Sequence, residues 1–96
     1  MRVIFTPAAR SEIIEAQEWY EEQQAGLGAR FRAELESLVS RIGENPYQFP
    51  AALEDAHRSR LRKFPYSLFF RIETDLLIVI PCFHGSRDPQ RWKERL

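Results

Sequence analysis

The segment RSRLRKFPYSLFFRI, Arg58 to Ile72, sets Arg58, Arg60 and Arg62 at alternate positions, with Lys63 directly after them. On an extended strand successive side chains leave opposite faces, so a strand here sends all three guanidinium groups out of one face. Guanidinium stays protonated at physiological pH and forks its N–H groups toward a carboxylate or a phosphate. Such a row either grips something anionic or stands in solvent as a charged sheet face that discourages edge pairing. Arg71 and Arg87 extend the basic set, and His84 adds one side chain that titrates near neutrality. Trp92 either packs against the fold or touches a target. His57, His84 and the single thiol of Cys82 have no metal-ligand spacing, so no metal site and no cofactor are expected.

Net charge is zero, yet the two parts of the chain differ. Residues 1–56 carry five Arg against ten Asp and Glu, while residues 57–96 carry nine Lys and Arg against four acids. The first part is acidic and the second basic, which attracts anionic surfaces to the second in a salt-dependent way. With 96 residues, 44% of them hydrophobic, the chain is read as one domain, residues 1–96, with a modest core. No apolar stretch is long enough for a membrane span, and the start MRVIFTPAAR is not a secretory signal. One cysteine excludes an internal disulfide and fits a reducing compartment, so a cytoplasmic protein is expected.

The elements that must position these side chains follow from periodicity. RVIFT (Arg2–Thr6) reads as a short strand, Thr6 as an N-cap and Pro7 as the first helical residue. Ala9, Ile13, Ala16 and Tyr20 recur at helical spacing through an acidic first helix, Ala8 to about Gln24. Trp19 lies off that stripe, which suggests a partner surface. Gly26 is expected in the left-handed cap and Gly28 in a tight reversal. Leu27, Phe31, Leu35, Leu38 and Ile42 then define a second helix, ended by Gly43 and Asn45–Pro46. The stretch Asn45–Ala56 reads as loop. From there the period is two: Arg58–Phe64, Tyr66–Glu73 and Leu76–Phe83 read as strands, with a polar turn at Thr74–Asp75 and a bulge or edge near Pro81. The expected fold is α+β, ordered β-α-α-β-β-β, with an antiparallel sheet packed against a helical hairpin.

That order, together with WYEEQQAGLGARF, NPYQFP, RLRKFPYSLFFRI and FHGSRDPQRWKER, resembles the RelE/ParE superfamily of toxins, the stable halves of type II toxin–antitoxin modules, often described as plasmid stabilisation proteins. The resemblance spans essentially the whole chain. RelE-like members cleave messenger RNA on the ribosome without a metal, which requires a base for the 2′-hydroxyl, charge stabilisation and an acid for the leaving oxygen. Measured against that pattern, Arg58, Arg60 and Arg62 occupy comparable places, and Arg87 matches loosely. Ser67 stands where an Arg is wanted after Tyr66, and Trp92 near a position where a Tyr serves as acid. Indole has no useful acidity, and guanidinium is a poor base.

The resemblance therefore implies a ParE-like toxin, which inhibits DNA gyrase by contact. The implied target-binding residues are Arg58, Arg60, Arg62, Lys63, Arg71, Arg87 and Trp92. The alternatives are a ribosome-dependent mRNA endonuclease built on His84 with Arg60, Arg62 and Arg87, or a non-toxic binding module of the same fold. The implied partner is a cognate antitoxin whose disordered segment folds on the toxin, giving a hetero-oligomer.

Overall fold

The computed structural model describes residues 1–53 and 55–80. Strand β1 (Arg2–Phe5) leads into α1 (Pro7–Gln23), and α2 (Leu27–Glu44) returns antiparallel to it. A 3-10 turn at Pro46–Gln48 precedes β2 (Ala51–Leu53), β3 (Ala56–Arg60), β4 (Ser67–Ile72) and β5 (Leu76–Ile80).

Local chemistry explains the helical hairpin. The Thr6 hydroxyl accepts a hydrogen bond from the Ala9 amide at 3.1 Å, and Pro7, which needs no donor there, follows it. Gly26 adopts φ +88°, the left-handed conformation expected of it. Glu21 then ties the turn: its carboxylate accepts from the Gly26 and Gly28 amides, both at 2.9 Å, satisfying two donors at the start of α2. Gly28 does not make the reversal. It is a buried helical residue, and its missing side chain lets α2 approach α1.

Ala9, Ile13, Ala16 and Tyr20 of α1 and Phe31, Leu35, Leu38 and Ile42 of α2 face the sheet and are buried, as their spacing predicts. They meet Leu68 and Phe70 of β4 and Leu77 and Val79 of β5. Tyr20, Phe31, Phe64 and Tyr66 form one aromatic cluster with centroids 4.8 to 5.4 Å apart. Trp19 joins it from the side, half-buried and edge-on to Tyr20 at 5.2 Å, so it packs against the core.

Three expectations about the strands change. The sheet order is β1-β5-β4-β3-β2, and β1 runs parallel to β5, with Arg2 opposite Leu76 and Phe5 opposite Val79. The sheet is therefore mixed, antiparallel only from β5 to β2. The LLIVI run of β5 is apolar on both faces, as suits a strand with neighbours on each side, and β1 fills its second edge. The second change is β2: within the stretch expected as loop, Ala51 pairs opposite His57.

Third, β3 ends at Arg60, not at Phe64. Residues 61–66 bend instead, with the Leu61 amide donating to the Tyr66 carbonyl at 3.0 Å. Pro65 cannot donate to a ladder, and the bend drives Leu61, Phe64 and Tyr66 into the core. The expected features at Pro81 and the end of the last strand at Phe83 lie outside the described residues.

Candidate functional site

Cross-strand register decides which candidate residues share a face. His57 opposes Phe70 and Ser59 opposes Leu68, all on the helix-covered side. Arg58 opposes Phe69, Arg60 opposes Ser67, and Ala56 opposes Arg71, all on the other side. Arg71 in turn opposes Ile78, and Phe69 opposes Ile80. Arg2 and Ile4 complete this outer face on β1, beside Leu76 and Ile78.

The outer face is thus an apolar strip crossed by arginines. Phe69, Ile78 and Ile80 are partly exposed along it, and Ile4 is 36% exposed at its edge. Arg58 and Arg60 stand on one strand about 7 Å apart, by the rise of two extended residues. Both are exposed, and Arg58 Nε donates to the Ser67 hydroxyl at 3.2 Å, which orients its guanidinium along the sheet. Arg71 sits one strand over, with its Nε buried and without a hydrogen-bond partner among the described residues. Among the described residues, no carboxylate forms an ion pair with Arg58, Arg60 or Arg71. A guanidinium with unused donors beside apolar surface suits a partner that presents both carboxylates and apolar side chains.

Arg62 and Lys63 leave this group. Past the end of β3 they turn toward α2, where their backbone amides donate to one oxygen of Glu34, at 2.9 Å for Lys63. The row of three guanidinium groups is therefore a row of two, Arg58 and Arg60, joined by Arg71 across the sheet. His84, Arg87 and Trp92 lie outside the described residues, as does Cys82.

The described part of the outer face holds neither histidine nor tyrosine. His57 is on the covered side, stacked on Phe70 at 5.4 Å with Nδ1 2.9 Å from the Phe49 carbonyl oxygen. Tyr66 is 2% exposed and sits in the core. Among the described residues no group of three His, Cys, Asp or Glu side chains is placed to hold a metal ion. No described helix is long and apolar enough to cross a membrane.

Sequence reasoning overlooked Arg2 and Ile4, which a period-two reading of RVIFT places on one face with no further information. It also overlooked Glu34, whose partners lie 28 and 29 residues away and leave no local signal.

A helical hairpin laid over a mixed sheet whose far side carries arginines on an apolar strip defines a small α+β domain. Residues 3–89 match the family described as ParE toxin of type II toxin-antitoxin system, parDE, and the chain belongs to that family. It is a ParE-type toxin of a type II toxin–antitoxin system. Among solved structures it is similar to a chain of the chromosomal ParDE TA system from P. aeruginosa, with a TM-score of 0.72 at 15% identity. That likeness covers 84% of this chain and 91% of the other, and shows a shared fold. No curated protein matches the chain.

Proposed function

We propose that this toxin stops growth in the cytoplasm by binding DNA gyrase, and that a cognate antitoxin neutralises it by folding onto it as part of a hetero-oligomer. The target is met by the outer sheet face through Arg58, Arg60 and Arg71; Arg87 and Trp92, outside the described residues, are proposed as further target contacts. The observation that carries this reading is the shared face of those three arginines beside Phe69 and Ile78. Such a surface suits recognition of a protein, with rim charges steering the encounter and apolar groups supplying affinity.

The nuclease arrangement is less well supported, because Arg62 leaves the face that Arg60 occupies. The deciding experiment is a supercoiling assay with purified toxin and gyrase. Inhibition that the R58A/R60A variant loses supports the reading. Intact supercoiling alongside cleaved ribosome-bound transcripts, lost on His84→Ala, favours the nuclease instead. Absence of growth arrest on induced expression favours the non-toxic binding module.

A further inference from the structure

A second charged surface lies away from the outer sheet face. An open groove of about 1010 Å³ runs between α2 and the bend at residues 61–66. Arg30, Glu34 and Arg41 line it from α2 at spacings of four and seven, one helical stripe. The bend adds Arg62 and Lys63, and Leu27 with Phe64 give it an apolar floor. Glu34 is the one carboxylate among the described lining residues, against four cations.

That carboxylate is already engaged. One Glu34 oxygen accepts from the Arg62 and Lys63 amides in succession. Consecutive backbone N–H groups that converge on one oxygen form the concavity with which proteins bind anions. Here the concavity is filled by a carboxylate from the protein itself. Arg30, Arg41, Arg62 and Lys63 have no ion-pair partner among the described residues. The described lining keeps an excess of about three positive charges by simple counting.

We propose that this groove binds an acidic polypeptide segment, one carboxylate of which takes the Arg62 and Lys63 amides over from Glu34 while neighbouring acids lie against Arg30, Arg41 and Lys63. The amide pair already holds a carboxylate oxygen, and half-buried Leu27 offers an apolar contact to aliphatic side chains of a peptide. A nucleic acid finds no exposed aromatic ring there for base stacking, since Phe64 is 5% exposed. Glu34 thereby serves as a resident placeholder that keeps the bend ordered until the partner arrives. The inference deepens the antitoxin reading and rests on it for the identity of the partner in the cell.

The test uses the full chain and follows the Arg62 and Lys63 amide resonances while hexaglutamate peptide is added. Both resonances are expected to shift, and Glu34→Gln is expected to tighten binding about fivefold by weakening the resident competitor. The variants Arg30→Glu and Arg41→Glu, whose side chains do not touch the bend's hydrogen bonds, are each expected to weaken it about tenfold. Unmoved amides, binding unchanged or weakened by Glu34→Gln, or a hexathymidylate oligonucleotide that binds as well as the peptide, would each overturn the proposal. Binding of the cognate antitoxin is measured in parallel. An antitoxin that binds while those amides stay silent sinks the groove and leaves neutralisation standing. Peptide-induced shifts without antitoxin binding support the groove and sink the antitoxin reading.

Discussion

Gly28 on α2 lies so close to Gln17 on α1 that a β-carbon at Gly28 would stand 2.8 Å from the Gln17 carbonyl oxygen. Backbone cannot swing aside as a long side chain can, and the Glu21 carboxylate crowds the same point at 2.9 Å. Alanine is the better helix former by about 1 kcal/mol, but forced overpacking costs about 1–3 kcal/mol. Gly28→Ala is therefore expected to be destabilising by up to about 2 kcal/mol net, with about 1 kcal/mol, roughly 6 °C in Tm, at the middle of that range for a domain of this size. Thermal unfolding followed by circular dichroism checks this; a Tm equal to or above that of the parent would show that the hairpin has slack. Gly26→Ala tests a different term, because there nothing crowds the added carbon and only the positive φ opposes it.

Burial of the Tyr20 phenol pushes its pKa up from 10.0 to about 12. A raised pKa means that the folded state resists losing this proton while the unfolded chain gives it up readily. The stabilisation is complete below pH 10 and is lost as pH climbs from 10 toward 12, at most about 3 kcal/mol for a two-unit difference. Urea unfolding across that window should show stability falling by one proton's slope more in the parent than in Tyr20→Phe. Parallel slopes for the two proteins would mean that the phenol ionises freely in the fold.

Much of this architecture is legible in the sequence because it is local. Thr6, Pro7 and Gly26 act within one turn of where they stand, and the stripe from Leu27 to Ile42 needs only the helical period. The alternation from Tyr66 to Ile72 likewise places Leu68 and Phe70 inward and Phe69 and Arg71 outward. What escapes is pairing between distant segments. Nothing in RVIF says that it will lie parallel to LLIVI, because side-chain alternation is identical in either direction. Arg62 was misplaced for a related reason. Its alternation with Arg58 and Arg60 continues smoothly in sequence, while Pro65 and the distant Glu34 end the strand early. The candidate site is thus readable where period two holds, which gives Arg58, Arg60 and Arg71, while the departure of Arg62 follows only from the bend.

His57 holds the start of the sheet's far edge. Its Nδ1 lies 2.9 Å from the Phe49 carbonyl oxygen, and its ring stacks on Phe70 across the β3–β4 pair. Replacement by Ala removes one partly buried hydrogen bond and one ring contact, together about 1–2 kcal/mol. Because the lost contacts join β2's entry to β3, hydrogen exchange should speed up at β2 and at the 3-10 turn before it spreads to β4 or β5. Uniform acceleration across the whole sheet would mean that His57 supports the core as a whole.

Arg60 and Ser67 face each other across β3 and β4 on the outer surface, so charge reversal at Arg60 changes that surface and leaves the core alone. Arg60→Glu should leave Tm within about 3 °C, as surface substitutions usually contribute under 0.5 kcal/mol. Target binding should weaken at least tenfold, because a rim cation in an electrostatically matched interface is replaced by its opposite. Most of that loss should appear in the association rate and shrink as salt rises, since rim charges act through the screened long-range field. Arg62→Glu is the matched control: it lies on the bend facing α2, and the outer-face reading gives it a much smaller effect on the target. Surface-bound gyrase exposed to each variant at two salt concentrations separates the cases. Equal losses for Arg60→Glu and Arg62→Glu would place the contact on the bend instead of the sheet.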